Sequence, residues 1–96
     1  MKTDRQDGSV EYLYDAIMAI RDKEECRAFF ETLCTRQELR SFAQRISVAK
    51  LLHDGCVYSS IVEQTGASTA TISRVNRSMN MGDNGYEAVF ARMQQS

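Results

Sequence analysis

The sequence predicts an all-α protein of about six helices, and three observations support this fold class. The 96-residue chain contains no proline, its apolar residues recur at spacings of three and four, and it has no alternating strand pattern. Hydrophobic residues make up 43% of the chain and charged residues 26%, as in ordinary globular domains. We therefore expect one folded domain over residues 1–96.

The first two helices are predicted by apolar stripes and by one capping signal. Residues 1–9 are polar, so we expect a disordered leader there. The first stripe then comprises Leu13, Ala16, Ile17 and Ile20. Asp22 can cap the second helix with Glu25 as its capping-box partner. The predicted buried residues of that helix are Cys26, Phe29, Phe30 and Leu33.

The longest predicted helix follows directly. Thr35 and Glu38 repeat the capping pattern, and Gly55 provides a left-handed stop after Asp54. The predicted inner stripe is Leu39, Phe42, Ala43, Ile46, Ala49 and Leu52 or His53. Near the C-terminus, residues 82–85 read Gly-Asp-Asn-Gly and predict a turn. A short last helix should carry Tyr86, Val89, Phe90 and Met93.

Residues 58–77 predict a helix-turn-helix. Ile61 and Val62 face inward from a first helix of about eight residues, Gly66 permits the turn, and Ser68 can cap a second helix. Ile72 and Val75 would anchor that second helix. Its outward side chains are small or hydroxylated near the start and include two arginines.

This composition is typical of a recognition helix. Small side chains let the helix backbone approach base edges, and arginines bind phosphates or guanine. No acidic residue lies between Gln64 and Met81, which favours DNA binding. The alternative is an ordinary helical hairpin whose serine and threonine side chains are merely solvated. The candidate contacts to double-stranded DNA are Ser59, Ser68, Thr69, Ala70, Thr71, Ser73, Arg74, Asn76 and Arg77.

Charge is unevenly distributed along the chain. The formal net charge is −1, but residues 35–81 carry six basic and three acidic side chains, while residues 1–34 carry five basic and eight acidic ones. The local charge sets the field that phosphates meet, so DNA binding is compatible with the acidic total. A helical protein-interaction module without DNA readout is the alternative that the acidic flanks support. RNA binding ranks below both, because aromatic base-stacking platforms are missing.

Other classes of protein are disfavoured by what the sequence lacks. It has no apolar run of about 20 residues and no secretory signal, which predicts a cytoplasmic protein without a membrane span. Three cysteines without a Cys-x-x-Cys spacing predict reduced thiols. A zinc set of His53, Cys56, Cys26 and Cys34 matches no known ligand spacing, and His53 suits a helix C-terminus better. One histidine and no nucleophile beside a base disfavour an enzyme.

From Leu33 to Phe90 the sequence resembles the tryptophan repressor superfamily, and especially its YerC/YecD-like members. The resemblance lies in Thr-Arg-Gln-Glu-Leu at 35–39, Arg45, Lys-Leu-Leu-His-Asp-Gly at 50–55, and the run from Gly66 to Arg74. It implies a transcription repressor that binds a palindrome as an intertwined homodimer, with recognition helices ~34 Å apart. The apolar stripes of residues 13–33 and 86–93 would then form the dimer core. The alternative is that these stripes pack within one subunit.

The resemblance also implies an effector pocket, in which a tryptophan ring lies between two arginines. Its positions here are Thr35, Arg45, Arg74, Val75 and Ser78. The family has glycine directly after the second arginine, whereas this chain has Val75, whose side chain would occupy the space of the ring. We therefore expect no cofactor and no dependence on L-tryptophan, with DNA binding either ligand-free or controlled by a smaller anion. A surface ion pair for Arg45 and a phosphate contact for Arg74 are the simpler roles.

Overall fold

The computed structural model describes residues 2–82 and 84–95, with side chains from Gly8 onward. These residues form six α-helices and no strand, which confirms the all-α prediction. The helices are α1 (Lys2–Met18), α2 (Lys23–Leu33), α3 (Arg36–His53), α4 (Tyr58–Thr65), α5 (Thr69–Met79) and α6 (Tyr86–Gln94).

The start of α1 differs from the sequence prediction. The helix begins at Lys2, whereas residues 1–9 are predicted to be a disordered leader. Met1 lies outside the described residues, as does Asp83 in the predicted turn. Because no proline interrupts the leader, the helix can extend N-terminally at the cost of ordering one residue per added hydrogen bond.

The predicted capping box of α3 is present, whereas at α2 Asp22 caps the helix as predicted but Glu25 bonds the amide of Arg21 instead of that of Asp22. Asp22 Oδ1 accepts from the Glu25 amide at 2.9 Å, and Glu25 Oε1 accepts from the amide of Arg21 at 3.0 Å. At the start of α3, Thr35 Oγ1 accepts from the Glu38 amide at 3.0 Å, while Glu38 Oε1 accepts from the Thr35 amide at 2.8 Å. These bonds satisfy amides that the first turn of each helix leaves unpaired, so both helices begin where the sequence predicts.

At the other end of α3, the left-handed Gly55 (φ 85°) follows the helix as predicted. Lys50 Nζ donates to both carboxylate oxygens of Asp54 at 2.9 Å, one turn apart. These hydrogen bonds hold the pKa of Asp54 below its ordinary value of 3.8, with a smaller contribution from His53.

The packing divides the chain into two compact units, residues 1–39 and 40–96. In the first unit no described side chain, from Gly8 to Leu39, is buried. Its apolar residues are half-buried at best, and Met18 and Tyr12 are 82% and 75% exposed. A unit of this kind has a large apolar surface left to cover.

The second unit has the core. Four helix segments contribute to it, and its buried residues are Val48, Ala49, Ile61, Ala67, Ile72, Val75 and Phe90. Phe90 stacks on Tyr86 with ring centroids 5.6 Å apart and meets the edge of His53 at 5.5 Å. α6 is thereby fixed to the end of α3 by aromatic contacts.

The predicted inner stripe of α3 is only partly correct. Ala49 is buried, but Phe42 and Ile46 are 45% and 43% exposed, and the unpredicted Val48 is fully buried. At about 100° per residue, Val48 lies about 240° around the helix from Phe42. Ala49 is also buried and lies within about 20° of Phe42, so the buried and exposed apolar residues differ in their position along the helix: the buried pair is in its C-terminal half.

Three further features concern membrane spans, metal sites and the cysteines. None of the described helices combines the length and the apolar character that crossing a bilayer requires. Within the same residues, His, Cys, Asp and Glu side chains form no group of three suited to a metal ion. The three thiols are free and half-buried. The cytoplasmic location stays a prediction.

Candidate nucleic-acid interface

The helix-turn-helix lies where the sequence predicts it. α4 spans Tyr58–Thr65, three residues form the turn, and α5 begins at Thr69. Gly66 adopts the left-handed conformation with φ 74° and ψ 4°, and its amide donates to the Val62 carbonyl at 2.8 Å. A left-handed C-cap of this kind stops a helix and redirects the chain, and it favours glycine.

The start of α5 is capped by Ser68. Its hydroxyl oxygen accepts from the Thr71 amide at 3.1 Å and also lies 3.1 Å from the Thr71 hydroxyl. Its backbone carbonyl accepts from the amide of Ile72 at 3.0 Å. The first turn of α5 thus begins at a defined residue, with the positive end of its dipole next to the turn.

One face of the helix pair is anchored in the core. Ile61 on α4 and Ile72 on α5 are fully buried, while Ala67 in the turn is 2% exposed and Val75 3% exposed. The spacing of Ile72 and Val75 leaves the opposite face of α5 free of core contacts. Val62, which was predicted to face inward beside Ile61, is instead 36% exposed. Adjacent helix positions point about 100° apart, so Val62 does not share the direction in which Ile61 is buried.

The predicted contact residues are mostly on the outer face. The exposed ones are Ser59, Ser68, Thr69, Ala70, Arg74 and Arg77. The half-buried ones are Thr71, Ser73 and Asn76. Thr69, Ala70 and Ser73 occupy the first two turns of α5, where short side chains leave the backbone close to the surface. Arg77 lies in the last turn.

The electrostatics of α5 are uniform in sign. The helix contains two arginines and no acidic residue. Among the described residues, neither Arg74 nor Arg77 makes a salt bridge. An exposed guanidinium without a carboxylate partner keeps its donors available for phosphate or a base edge.

The predicted effector positions have other contacts. The Thr35 hydroxyl caps α3, and the Arg45 guanidinium lies over the ring of Phe42, one turn earlier, at 5.1 Å from its centroid. The Ser78 hydroxyl donates to the Arg74 carbonyl at 3.2 Å. The side chain of Val75 is in the core. Thr35 belongs to the unit of residues 1–39, whereas the other four belong to the unit of residues 40–96.

Two residues whose hydrogen bonds hold the end of α4 and the turn were not predicted from the sequence. Gln44 Nε2 donates to the carbonyl oxygen of Thr65 at 3.3 Å, and the Thr65 hydroxyl bonds both to Ile61 and to Ala67. Local sequence carries a signal for Thr65, because a threonine at a helix end often bonds the backbone around it. It carries none for Gln44, which is 21 residues away.

The comparisons with known proteins agree with this architecture. The sequence model described as Trp repressor protein matches residues 8–94. The uncharacterized protein YerC of Bacillus subtilis (strain 168) is 43% identical over 97 residues, covering 100% of this chain and 93% of YerC.

Two solved structures are also similar. A TrpR-like protein from Eubacterium eligens ATCC 27750 superimposes with a TM-score of 0.86 at 50% identity, over 91% of this chain and 90% of its own. A protein from Staphylococcus aureus gives a TM-score of 0.86 at 44% identity, over 91% and 87%. The fold, the helix-turn-helix and these matches together show that the chain belongs to the Trp repressor protein family, as a TrpR-like relative of YerC.

Proposed function

We propose that the protein is a sequence-specific, DNA-binding transcription repressor that inserts α5 into the major groove as a homodimer. The observation that carries the proposal is the outer face of α5, which is acid-free, has small residues in its first turns and contains two exposed arginines. The family is one of non-enzymatic DNA-binding regulators, which supports the same function.

Different residues of α5 would have different tasks. Thr69, Ala70 and Ser73 would read base edges, because they lie at the helix start and leave room for close approach. Arg77, in the last turn, would bind phosphate and carry little sequence information. Arg74 is exposed between these groups and can reach either guanine or phosphate. The hydroxyl of Ser59, near the start of α4, would bind the DNA backbone.

Exposed apolar surface supports the homodimer. The first unit has no buried side chain among its described residues, which is untypical of a structure that is stable alone. In the second unit, Ile46, Val89 and Met93 are 43%, 45% and 63% exposed. A cleft of about 430 Å³ lies beside them, lined by Ile46, Ser47, Lys50, Leu51, Gln64, Thr65, Phe90 and Met93. A second copy would cover such surfaces. Sedimentation that shows one 10.9 kDa species at high concentration would exclude the dimer.

We also propose that L-tryptophan is not the corepressor. Val75 is 3% exposed within the core, so its isopropyl group fills the position where the family glycine leaves room for a ring. Arg45 is engaged with Phe42 rather than open toward a ligand. The protein would therefore bind DNA without tryptophan.

The experiment is a fluorescence polarisation titration of random-sequence duplex DNA over a salt series. The logarithm of the affinity for DNA falls linearly with the logarithm of the salt concentration, and each phosphate that the protein neutralises adds about 0.9 to the steepness of this line. Arg77→Ala should therefore reduce the slope by about 1.8 in a dimer. Arg92→Ala, which removes the same charge from α6, is the matched control and should leave the slope unchanged.

Each outcome separates the two candidate functions. Binding that weakens steeply with salt, together with an effect of Arg77→Ala alone, supports DNA recognition through α5. An absence of binding at every salt concentration would leave the helical protein-interaction module, which the eight acidic residues within residues 1–34 favour. Equal effects of the two arginine variants would mean that α5 is not the DNA-binding helix.

A further inference from the structure

The turn between α4 and α5 is connected to α3 by a side-chain hydrogen bond. Gln44 lies near the middle of α3, and its Nε2 donates to the carbonyl oxygen of Thr65, the last residue of α4, at 3.3 Å. Both side chains are half-buried, so the bond is partly protected from competition with water. α3 therefore makes a direct polar contact with the backbone that enters the turn.

The side chain of Thr65 continues this network into the turn. Its hydroxyl donates to the Ile61 carbonyl at 2.7 Å and accepts from the Ala67 amide at 3.1 Å. Ala67 is 2% exposed, and a buried amide without a partner is costly. With Gly66 in the left-handed conformation between them, Thr65 and Ala67 are connected across the residue where the chain changes direction.

We infer that Gln44 and Thr65 are positioning residues that fix the turn and thereby set the orientation in which α5 meets DNA. The inference rests on the proposed function. The residues that would read bases on α5 have short side chains, so a small tilt of the helix moves them out of reach. Gln44 and Thr65 need not contact DNA to affect sequence preference.

Gln64 provides the matched contrast. Its Nε2 donates to Ser60 Oγ at 2.9 Å, one turn earlier on the same helix, and this bond does not reach the turn. Removal of the Gln64 amide should therefore not affect α5. Gln44→Met and Gln64→Met both remove a side-chain amide. The first loses the hydrogen bond from α3 to the end of α4, and the second loses only a hydrogen bond within α4.

The test has two measurements on the full chain. The first is the rate of amide hydrogen exchange at Ala67. NMR measures this rate in the DNA-free Thr65→Val and Thr65→Ser variants. Valine removes the hydroxyl at nearly constant shape, whereas serine keeps it. We expect Ala67 exchange to be about 2- to 12-fold faster in Thr65→Val than in Thr65→Ser, which should resemble the unaltered protein.

The second measurement is the ratio of affinities for a selected duplex and a scrambled duplex. Gln44→Met should lower this ratio by about 2- to 12-fold and leave the salt slope unchanged, because the phosphate contacts are the same. Gln64→Met should change neither quantity when both are measured at a protein concentration at which sedimentation shows the same dimer fraction as for the unaltered protein, because Gln64 also lines the cleft that a second copy would cover. A merely structural role of Gln44 would lower the thermal midpoint and leave the affinity ratio intact.

The results are separable from those for the proposed function. Equal Ala67 exchange in the valine and serine variants, or equal affinity ratios in the two methionine variants, would overturn the inference even though the unaltered protein binds DNA. If the unaltered protein binds no duplex at any salt concentration, the proposed function fails and so does the role in orienting α5. The exchange data would then report on the turn alone.

Discussion

Substitution of Val75 by glycine tests whether this side chain is a core anchor that occupies the tryptophan position. Val75 is 3% exposed and packs within the cluster of seven buried residues. Removing its isopropyl group, which has three carbons, loses about 2.4 kcal/mol of transfer free energy at ~0.8 kcal/mol per carbon, and the remaining cavity raises the loss to about 3–3.5 kcal/mol. Glycine inside a helix adds only about 0.3 kcal/mol relative to valine, which is itself a weak helix former. The expected destabilisation is therefore about 3–4 kcal/mol.

Urea unfolding followed by circular dichroism, at one fixed protein concentration, measures this value. Val62→Gly is the control, because Val62 is 36% exposed on α4 and should show only the helix cost of about 0.3 kcal/mol plus a smaller burial term than Val75. A destabilisation below about 1 kcal/mol for Val75→Gly would refute the assignment of Val75 to the core.

Titration calorimetry with L-tryptophan completes the test. Accommodating an indole ring against the valine would cost about 1–3 kcal/mol, or about 5- to 150-fold in affinity. The unaltered protein should thus give no measurable binding, and Val75→Gly should gain affinity if it stays folded. Tight binding by the unaltered protein, accompanied by tighter DNA binding, would refute the reasoning.

Three further predictions follow from the local geometry. Gly66→Ala should cost about 1–2 kcal/mol in urea unfolding, because alanine is strained at a φ of 74°. The added Cβ meets nothing within 4 Å, so no clash adds to this cost. Gly85→Ala, at φ −77°, should be nearly neutral. Because the pKa of Asp54 is lowered in the folded protein, its carboxylate stabilises the fold above pH 3.8, and this contribution is lost as pH falls through the folded-state pKa. The difference in unfolding free energy between the unaltered protein and Asp54→Asn should therefore shrink in acid. Thr69→Ala and Ser73→Ala should change the sequence selected from a random duplex pool and preserve the salt slope.

The parts of the fold that depend on neighbouring residues were predictable from the sequence. Asp22 caps α2, and Gly66 takes the positive φ that the turn requires. Ser68 caps α5 as predicted. Each of these features is settled within about four residues of the chain, where spacing alone identifies the partners.

The parts that depend on distant residues were not. Along α3, Phe42 is exposed and Ala49 is buried although the two lie on nearly the same face, and periodicity cannot say which part of a helix meets the core. It therefore selected Phe42 and Ile46 and omitted Val48. The bond from Gln44 to Thr65 joins residues 21 apart and needs the packed structure to be seen.

A net charge of −1 is compatible with DNA recognition because the proposed reading surface and the acidic residues occupy different parts of the chain. Residues 1–34 carry eight acidic side chains, whereas α5 carries none. With only two arginines on α5, phosphate attraction would supply limited affinity, and in the proposed function more would come from close contact between the start of the helix and the base edges. Close contact by side chains as short as Thr69 and Ser73 requires a helix held within about 0.5 Å. A capping serine, a left-handed glycine and buried anchors hold the first turn of α5, so the structure is compatible with this requirement of the proposed function.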